Sequence, residues 1–136
     1  MKFDVIGYWS EIKLDIVKEY AVAYSTILSA QQRPKLHHVY IDAFAGAGIH
    51  VSKTTKETIL GSPLNALSVS PPFREYHFID LDGDKIDLLT QMVGQRPDIH
   101  TYTGDCNHVL LKEVFPQLDM KITVAGCVCW ILTGSI

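Results

Sequence analysis

The sequence has few cysteines and no long apolar segment. Three cysteines occur among 136 residues, and an odd number without a paired framework is typical of a protein from a reducing compartment. The longest apolar run, residues 124–132, is much shorter than the roughly 20 residues that a membrane span needs. The N-terminus has no apolar core of a signal peptide. We therefore expect a cytoplasmic protein without a membrane segment.

Basic runs and metal-ligand spacings are also missing. The chain carries 12 Lys and Arg residues against 15 Asp and Glu residues, a net charge of −3, and no cluster of bases indicates nucleic-acid binding. The sequence leaves open a basic surface patch formed in the fold by residues that are distant along the chain. The histidines have no metal-ligand spacing, and Cys127 and Cys129 are closer together than the usual zinc Cys-x-x-Cys. We expect no metal site.

Apolar patterning predicts alternating helices and strands. With 47% hydrophobic and 20% charged residues, the chain is typical of one globular domain. We predict that residues 50–60 form an exposed loop, that Ser10 and Ser62 cap the first two helices, and that the strands are parallel. The predicted helices are 8–32, a segment opening at 62, 85–93 and 109–115, and the predicted strands are 38–42, 75–82, 99–103 and 122–132.

The most informative stretch is residues 38–48, HVYIDAFAGAG. An apolar run suited to a buried strand ends at Asp42, and a turn with Gly46 and Gly48 follows. Small residues let a backbone approach a ligand closely, because a Cβ atom would clash there. A strand, an acid and a glycine loop in this order indicate a nucleotide-binding site.

Three acids follow three predicted strands: Asp42, Asp80 and Asp105. Ligands of open parallel sheets bind outside the carboxyl ends of the strands, so a single nucleoside ligand would account for all three positions. Each acid also has a purely structural interpretation, as a cap of the glycine loop, a strand-end acid or a turn residue. Asp82 and Asp84 are better explained as turn and cap residues.

The spacing around the glycines argues against two kinds of nucleotide site, a dinucleotide site and a phosphate loop. A dinucleotide site has the pattern G-x-G-x-x-G and an acid about 20 residues further on. Here the third glycine is missing after Gly48, and Asp80 lies too far along the chain. The glycines are not followed by the Gly-Lys-Ser/Thr of a phosphate loop either.

The string Asp42, Phe44, Gly46, Gly48 resembles the first motif of class I S-adenosylmethionine-dependent methyltransferases. This resemblance implies S-adenosylmethionine as the cofactor, held at the glycine loop.

The resemblance extends to the next two strand ends. It implies that Asp80 binds the ribose and that Asp105 accepts a hydrogen bond from the adenine amino group, with a backbone N–H of Cys106 beside it. No catalytic residue follows from the resemblance.

A narrower resemblance covers residues 9–118. The segments YIDAFAGAG, GSPLNAL, FIDLD and TGDCN are similar to those of the three-Cys-motif partner family. The resemblance implies a Rossmann-like class I methyltransferase sheet, of which this chain holds the N-terminal half, with parallel strands and flanking helices. It also implies a protein partner, the three-Cys-motif protein. We divide the single partial domain into an N-terminal helix (1–34), cofactor-binding βα units (35–118) and an atypical tail (119–136).

The tail departs from the family pattern. The family has an Asp-Pro-Tyr-Gly type of motif after the fourth strand, whereas residues 125–132 read AGCVCWIL and no carboxylate follows Asp119. Residues 120–136 can be translated back into their possible codons and read again in a frame moved by two bases. The degenerate codons then permit the sequence Asp-Pro-Tyr-Gly. Our hypothesis is a frameshifted tail and a longer native protein. The alternative is a short natural domain with an ordinary buried last strand.

Two functional hypotheses result. The first is an S-adenosylmethionine-binding, methyltransferase-like protein, incomplete and of doubtful activity alone, because the resemblance assigns the acceptor site to later strands. The second is a noncatalytic partner or regulatory module, or a nonfunctional remnant, of the same fold. In either case an open edge of the sheet favours self-association. The sequence does not identify the methyl acceptor.

Overall fold

A computed structural model describes residues 3–31 and 38–118, and shows a mixed α/β fold. Within these ranges no helix is long and apolar enough to cross a membrane. The predicted tail, 119–136, and its strand lie outside the described residues. The elements are β1 (Asp4–Ile6), α1 (Tyr8–Ala30), β2 (Val39–Asp42), β3 (Ile49–Ser52), β4 (Thr58–Leu60), α2 (Ser62–Leu67), β5 (Glu75–Asp80), α3 (Gly83–Val93), β6 (Ile99–Thr103) and α4 (Cys106–Val109), followed by a π-helical turn, Leu110–Val114, and a 3₁₀ turn, Phe115–Gln117.

The strands form two small sheets. In the first sheet the order is β2-β5-β6, all parallel, with Tyr40 opposite Tyr76 and Tyr76 opposite Ile99. In the second sheet β1 runs parallel to β3, and β3 pairs with β4 as an antiparallel hairpin. The expected parallel strands with flanking helices are therefore present in the first sheet.

The prediction of an exposed loop over residues 50–60 is wrong at both ends of that segment. Strands β3 and β4 occupy the ends, and only the turn between them holds the polar run that suggested a loop. Ser52 is buried, and its Oγ accepts hydrogen bonds from the backbone N–H groups of Thr54 and Thr55 at 3.2 and 3.1 Å. Strands this short show too few alternations to be recognised by periodicity.

Two of the predicted helix caps are also wrong. Helix α1 begins after Gly7 rather than at Ser10, and α2 begins after Gly61 rather than after Ser62. The Ser62 hydroxyl instead donates a hydrogen bond to the Asp42 carboxylate. Asp82 does cap α3, as expected, because its Oδ1 accepts from the backbone N–H of Asp84 at 3.0 Å.

Strand β2 lies at the centre of the core. Its residues are at most 1% exposed, and its two faces pack in two apolar clusters. One cluster contains Tyr40 with Phe78 and Leu89, and the other contains Val39 and Ile41 with the end of α4 and the π-helical turn. Among the described residues β2 is hydrogen-bonded to one strand only, β5. Self-association through this edge stays a prediction.

Candidate functional site

The carboxyl ends of β2 and β5 bring Asp80 into contact with the glycine loop. The two strands are adjacent and parallel, so their ends meet at one edge of the sheet. The backbone N–H of Ala45 donates to the Ile79 carbonyl at 2.8 Å, and the N–H of Gly46 donates to Asp80 Oδ2 at 2.9 Å. The loop after β2 therefore folds over the end of β5.

Asp42 shapes the loop from inside. Its carboxylate is fully buried, its Oδ1 accepts from the backbone N–H of Phe44 at 3.1 Å, and its Oδ2 accepts from the Ser62 hydroxyl. These bonds hold the start of the loop to the first residue of α2. Asp42 therefore caps the glycine loop, which is the structural alternative that the sequence left open for this acid.

The two loop glycines are needed for different reasons. Gly46 and Gly48 have φ values of +70° and +91°, a region that residues with a side chain rarely adopt. A Cβ atom on Gly48 would also lie 2.9 Å from Leu89 Cδ1. Gly48 is therefore required by the packing of α3 against the loop. Gly46 instead lines a cavity at the site.

That cavity has a volume of about 230 Å³ and lies between the two sheets. Phe44, Gly46 and Asp80 line it from the predicted site, and Phe44 is 48% exposed. The remaining lining residues come from β1, α1, β3, α2 and α3: Asp4, Val5, Ile6, Leu14, His50, Ser62 and Lys85. The cavity thus joins the glycine loop to side chains that the sequence did not single out.

Asp80 keeps acceptor capacity at this cavity. Its Oδ1 accepts from the backbone N–H of Asp82 and its Oδ2 from that of Gly46, both at 2.9 Å. Each carboxylate oxygen can accept a second hydrogen bond, and the residue is partly exposed. Asp80 is therefore positioned to accept hydrogen bonds from a ligand that enters the cavity.

Charged and titratable groups line the other side of the cavity. Lys85 Nζ lies 2.8 Å from Asp4 Oδ2. This hydrogen bond is the main reason that the pKa of Lys85 is raised, and Asp80 and Asp82 nearby raise it further. Burial lowers the pKa of His50, and this effect is larger than the opposing one of Asp4. At neutral pH the cavity therefore holds a charged ammonium and a neutral imidazole, beside the acidic residues Asp4 and Asp80.

Asp105 and Cys106 lie at the end of β6, outside the cavity. Asp105 is exposed, and its Oδ2 accepts from the backbone N–H of His108 at 3.4 Å, as the cap of α4. Cys106 is partly buried and packs against the cluster around Val109. The Gly104 N–H donates to the Asp80 carbonyl at 3.0 Å. The β6–α4 turn is therefore held next to Asp80, on the same edge of the sheet.

The second cavity and the possible metal ligands among the described residues are weaker candidates for a functional site. A cavity of about 350 Å³ lies at the amino end of β6, with Arg96 among its lining residues, but that guanidinium is already paired with the carboxylate of Asp98 at 2.7 Å. Within residues 3–31 and 38–118 no group of three His, Cys, Asp or Glu side chains could hold a metal ion.

Comparisons of the chain with protein-family models, with curated proteins and with solved structures found no match. The fold and the geometry of the site are therefore the basis of the functional proposal.

Proposed function

We propose that this chain binds S-adenosylmethionine on the glycine loop, as the nucleotide-binding part of a class I methyltransferase-like protein of the three-Cys-motif partner family. The observation that carries the proposal is the contact between Gly46 and Asp80 at 2.9 Å. It joins the loop of the first motif to the acid that the resemblance assigns to the ribose. Vicinal ribose hydroxyls are donors, and the second lone pairs of Asp80 would accept from them.

The order of the strands supports the same fold. Strands β2, β5 and β6 are the first, second and third strands of the parallel sheet, and their spatial order is β2-β5-β6. A doubly wound nucleotide-binding sheet has the order 3-2-1 in this half. Its ligand lies at the carboxyl ends of the strands, where Asp80 and Asp105 are found.

Within this proposal the described residues bind and orient the cofactor. Gly46 and Asp80 would hold the nucleoside, with Asp105 beside the adenine. Bound S-adenosylmethionine would supply the sulfonium methyl group for transfer. Such transfer depends mainly on the alignment of an acceptor with that methyl group, and the proposal assigns no acceptor and no catalytic residue. We propose that activity requires groups beyond those described.

Calorimetric titration of the full chain with S-adenosylhomocysteine tests the proposal. We expect binding by the wild type and a loss of about tenfold or more in Asp80→Asn, because one acceptor oxygen becomes a donor. Asp87→Asn is the matched control, since Asp87 is exposed on α3 and does not line the cavity. A well-folded wild type without detectable binding would contradict the proposal.

A second candidate, a noncatalytic partner module, is favoured by one surface of α1. Four large apolar side chains lie on one side of the helix and are exposed to solvent, with Trp9 at 75%. They are Trp9, Ile16, Tyr20 and Ile27, whose spacing places them on a single helical stripe. A protein partner, such as the three-Cys-motif protein, would cover such a stripe.

Sedimentation of the chain with the candidate partner tests this alternative. Ile16→Lys with Ile27→Lys should abolish a complex formed through the stripe, whereas Lys18→Glu, on the exposed polar side of α1, should leave it intact. A complex that survives the double substitution would rule out this surface as the interface.

A further inference from the structure

His77 is a fully buried polar residue of β5 that the proposed function does not use. Its Nδ1 lies 3.0 Å from the hydroxyl oxygen of Tyr102, and its Nε2 lies 3.3 Å from Oε2 of Glu75. Its ring also stacks on that of His100 in the neighbouring strand β6, with ring centroids 4.8 Å apart and an angle of 12° between the planes. Both nitrogens of this imidazole are therefore engaged, and a second imidazole lies against its face.

The partners of His77 decide which of its nitrogens carries the hydrogen. A carboxylate only accepts hydrogen bonds, so Nε2 donates to Glu75 and Nδ1 accepts from the Tyr102 hydroxyl. Burial raises the pKa of Tyr102, which keeps the proton on the phenol, and a hydrogen bond with the Gln117 side chain opposes that shift. Such a bond is one that the amide N–H donates to the phenol oxygen. Donation therefore runs from Gln117 through Tyr102 to His77, and from there to the carboxylate.

This polar network, made of the side chains of Glu75, His77, Tyr102 and Gln117, attaches residues 110–117 to the parallel sheet. Apolar packing holds the same segment, because its buried members belong to the cluster on that face of the sheet, against which the Tyr102 ring also packs. Gln117 itself is exposed. Its hydrogen bond to Tyr102 is thus a polar attachment of the 3₁₀ turn to β6.

The groups around the network determine how it responds to protons. The titratable groups that act on His77 and Tyr102 come from both strands and from the π-helical turn: Glu75, His100 and Glu113. The other elements packed on this face, β2 and α4, contribute apolar or thiol side chains: Ile41, Cys106 and Val109. A positive charge on either stacked imidazole disfavours a charge on the other, so the intact pair favours a single proton.

A proton on His77 reverses one link of the network. The imidazolium donates from both nitrogens, so Nδ1 no longer accepts from the Tyr102 hydroxyl. The Tyr102 oxygen then faces two donors, one from His77 and one from Gln117, and its own hydrogen has lost its acceptor. Because unmatched polar groups away from water cost free energy, the arrangement in the structure is specific for neutral His77.

We propose that the polar network is an acid-sensitive clasp, which holds residues 110–117 on the sheet while His77 is neutral and releases them when His77 takes up a proton. Burial lowers the pKa of His77, and this effect is larger than that of the opposing hydrogen bond to Glu75. The clasp is therefore complete above the ordinary histidine pKa of about 6.5 and weakens as the pH falls through it. The released segment follows α4, whose cap Asp105 lies on the edge beside Asp80, so acid also loosens one side of the proposed site.

Nuclear magnetic resonance of the full chain without ligand tests the clasp between pH 7.5 and 5. At pH 7.5 the imidazole ¹⁵N shifts should show the hydrogen of His77 on Nε2. As the pH falls, we expect the amide shifts of residues 110–117 to move with the same midpoint as His77. The ¹H–¹⁵N NOE of these amides should fall because the segment becomes mobile, whereas the amides of α3 should keep their NOE.

Tyr102→Phe keeps the ring and removes the hydroxyl, so it separates the clasp from the packing. In this variant residues 110–117 should already be mobile at pH 7.5, with amide shifts near those of the wild type at pH 5. Further acid should then change this segment little. His108→Gln is the control: this histidine is exposed on α4, and its substitution should leave the wild-type pH dependence intact.

Hydrogen on Nδ1 of His77 at pH 7.5, or a wild-type pH dependence in Tyr102→Phe, overturns this inference. Amide shifts that titrate without a fall in NOE overturn it as well, because they report a nearby charge without release. Loss of the α3 signals by pH 5 has the same consequence, since the whole domain then unfolds. None of these results bears on the binding of S-adenosylmethionine, so the proposed function is tested separately.

Discussion

The glycine loop and the β6–α4 turn both follow a strand with an acid, yet the two acids have opposite surroundings. Asp42 is fully buried and accepts from Phe44 and Ser62. Asp105 is exposed and accepts one long hydrogen bond of 3.4 Å from the backbone of His108. The same sequence pattern therefore produces a structural acid in one place and an acid available to a ligand in the other.

Asp80 lies between these two regions and joins them. Its carboxylate accepts from Gly46, and its carbonyl accepts from the backbone N–H of Gly104. The glycine loop and the β6–α4 turn are thus fixed to the same residue, one through its carboxylate and the other through its backbone carbonyl. A ligand that bridges the two regions would pass directly over Asp80.

The largest effect is expected for Asp42→Ala. The change removes a buried carboxylate and leaves the Phe44 N–H and the Ser62 hydroxyl without their acceptor, so we expect a loss of about 4 kcal/mol in the free energy of unfolding. Ser62→Ala should cost less, about 1 kcal/mol, because Asp42 keeps its bond to Phe44. Urea unfolding measures both. A loss below about 1 kcal/mol for Asp42→Ala would show that Asp42 is no more structural than Asp105.

Gly48→Ala is expected to come next, with a loss of about 2 kcal/mol. The new Cβ atom would meet Leu89 at 2.9 Å, and the residue has φ +91°, so overpacking adds to backbone strain. Gly94→Ala measures backbone strain alone: Gly94 has φ +71° and ψ −167° with nothing within 4 Å of a Cβ atom, so its loss, about 1–3 kcal/mol, comes without overpacking. A Gly48→Ala loss in urea unfolding of no more than about 1 kcal/mol, the cost of strain alone, would mean that the loop tolerates the added methyl group.

Stability should also fall in acid between pH 7.5 and 5.5, by at most about 1.4 kcal/mol per pH unit for each of two buried histidines. Burial lowers the pKa of His50 beside the glycine loop and of His77 on β5, where Glu75 partly opposes the effect. The unfolded chain has the ordinary histidine pKa of about 6.5 and therefore takes up protons first. The stabilisation is complete above that pH and is lost as the pH falls through it.

Urea unfolding across this pH range is compared between the wild type and His50→Phe. The difference measures how much of the loss of stability in acid comes from His50, beside the glycine loop. The substitution should flatten the pH dependence. A curve parallel to that of the wild type would contradict the assignment to His50.

The smallest effect on stability is expected for Asp105→Ala, at most about 0.5 kcal/mol, because its capping bond is long and exposed. The same substitution should weaken binding of S-adenosylhomocysteine if Asp105 contacts the adenine. Unfolding and calorimetric titration of the same sample separate the two roles. A large loss of stability without a change in affinity would make Asp105 a structural acid like Asp42.

The sequence was sufficient for the elements with a strong periodic pattern. The extent of α1, the buried run of β2 and the strand–acid pattern of β5 were all recognisable, and parallel pairing then brought Asp80 to the glycine loop. The buried face of α1 was not: Ile16 and Ile27, which the apolar spacing placed inside, are exposed. The β3–β4 hairpin and β1 were missed because their strands have three or four residues. The pairing partners of such short strands are set by tertiary contacts rather than by local preference.

The roles of individual site residues depended on packing that no local pattern contains. Gly48 was expected to make room for a ligand, whereas a Cβ atom added there would first meet a methyl group of Leu89 on α3. His50 was assigned to an exposed loop because its neighbours after Ser52 are polar. Its burial follows from the pairing of β3 with β1, so the cavity formed with Asp4 and Lys85 was not predictable from spacing.

The most direct test of the account is a map of backbone amide chemical shifts during titration with S-adenosylhomocysteine, which is practical for a chain of 15.2 kDa. Binding at the proposed site predicts the largest shifts in three separate segments, residues 44–48, 80–82 and 104–106. The segment 94–97, at the other cavity, should change little. Shifts confined to 94–97, or no shifts at all in a folded sample, would contradict a nucleoside site at the glycine loop.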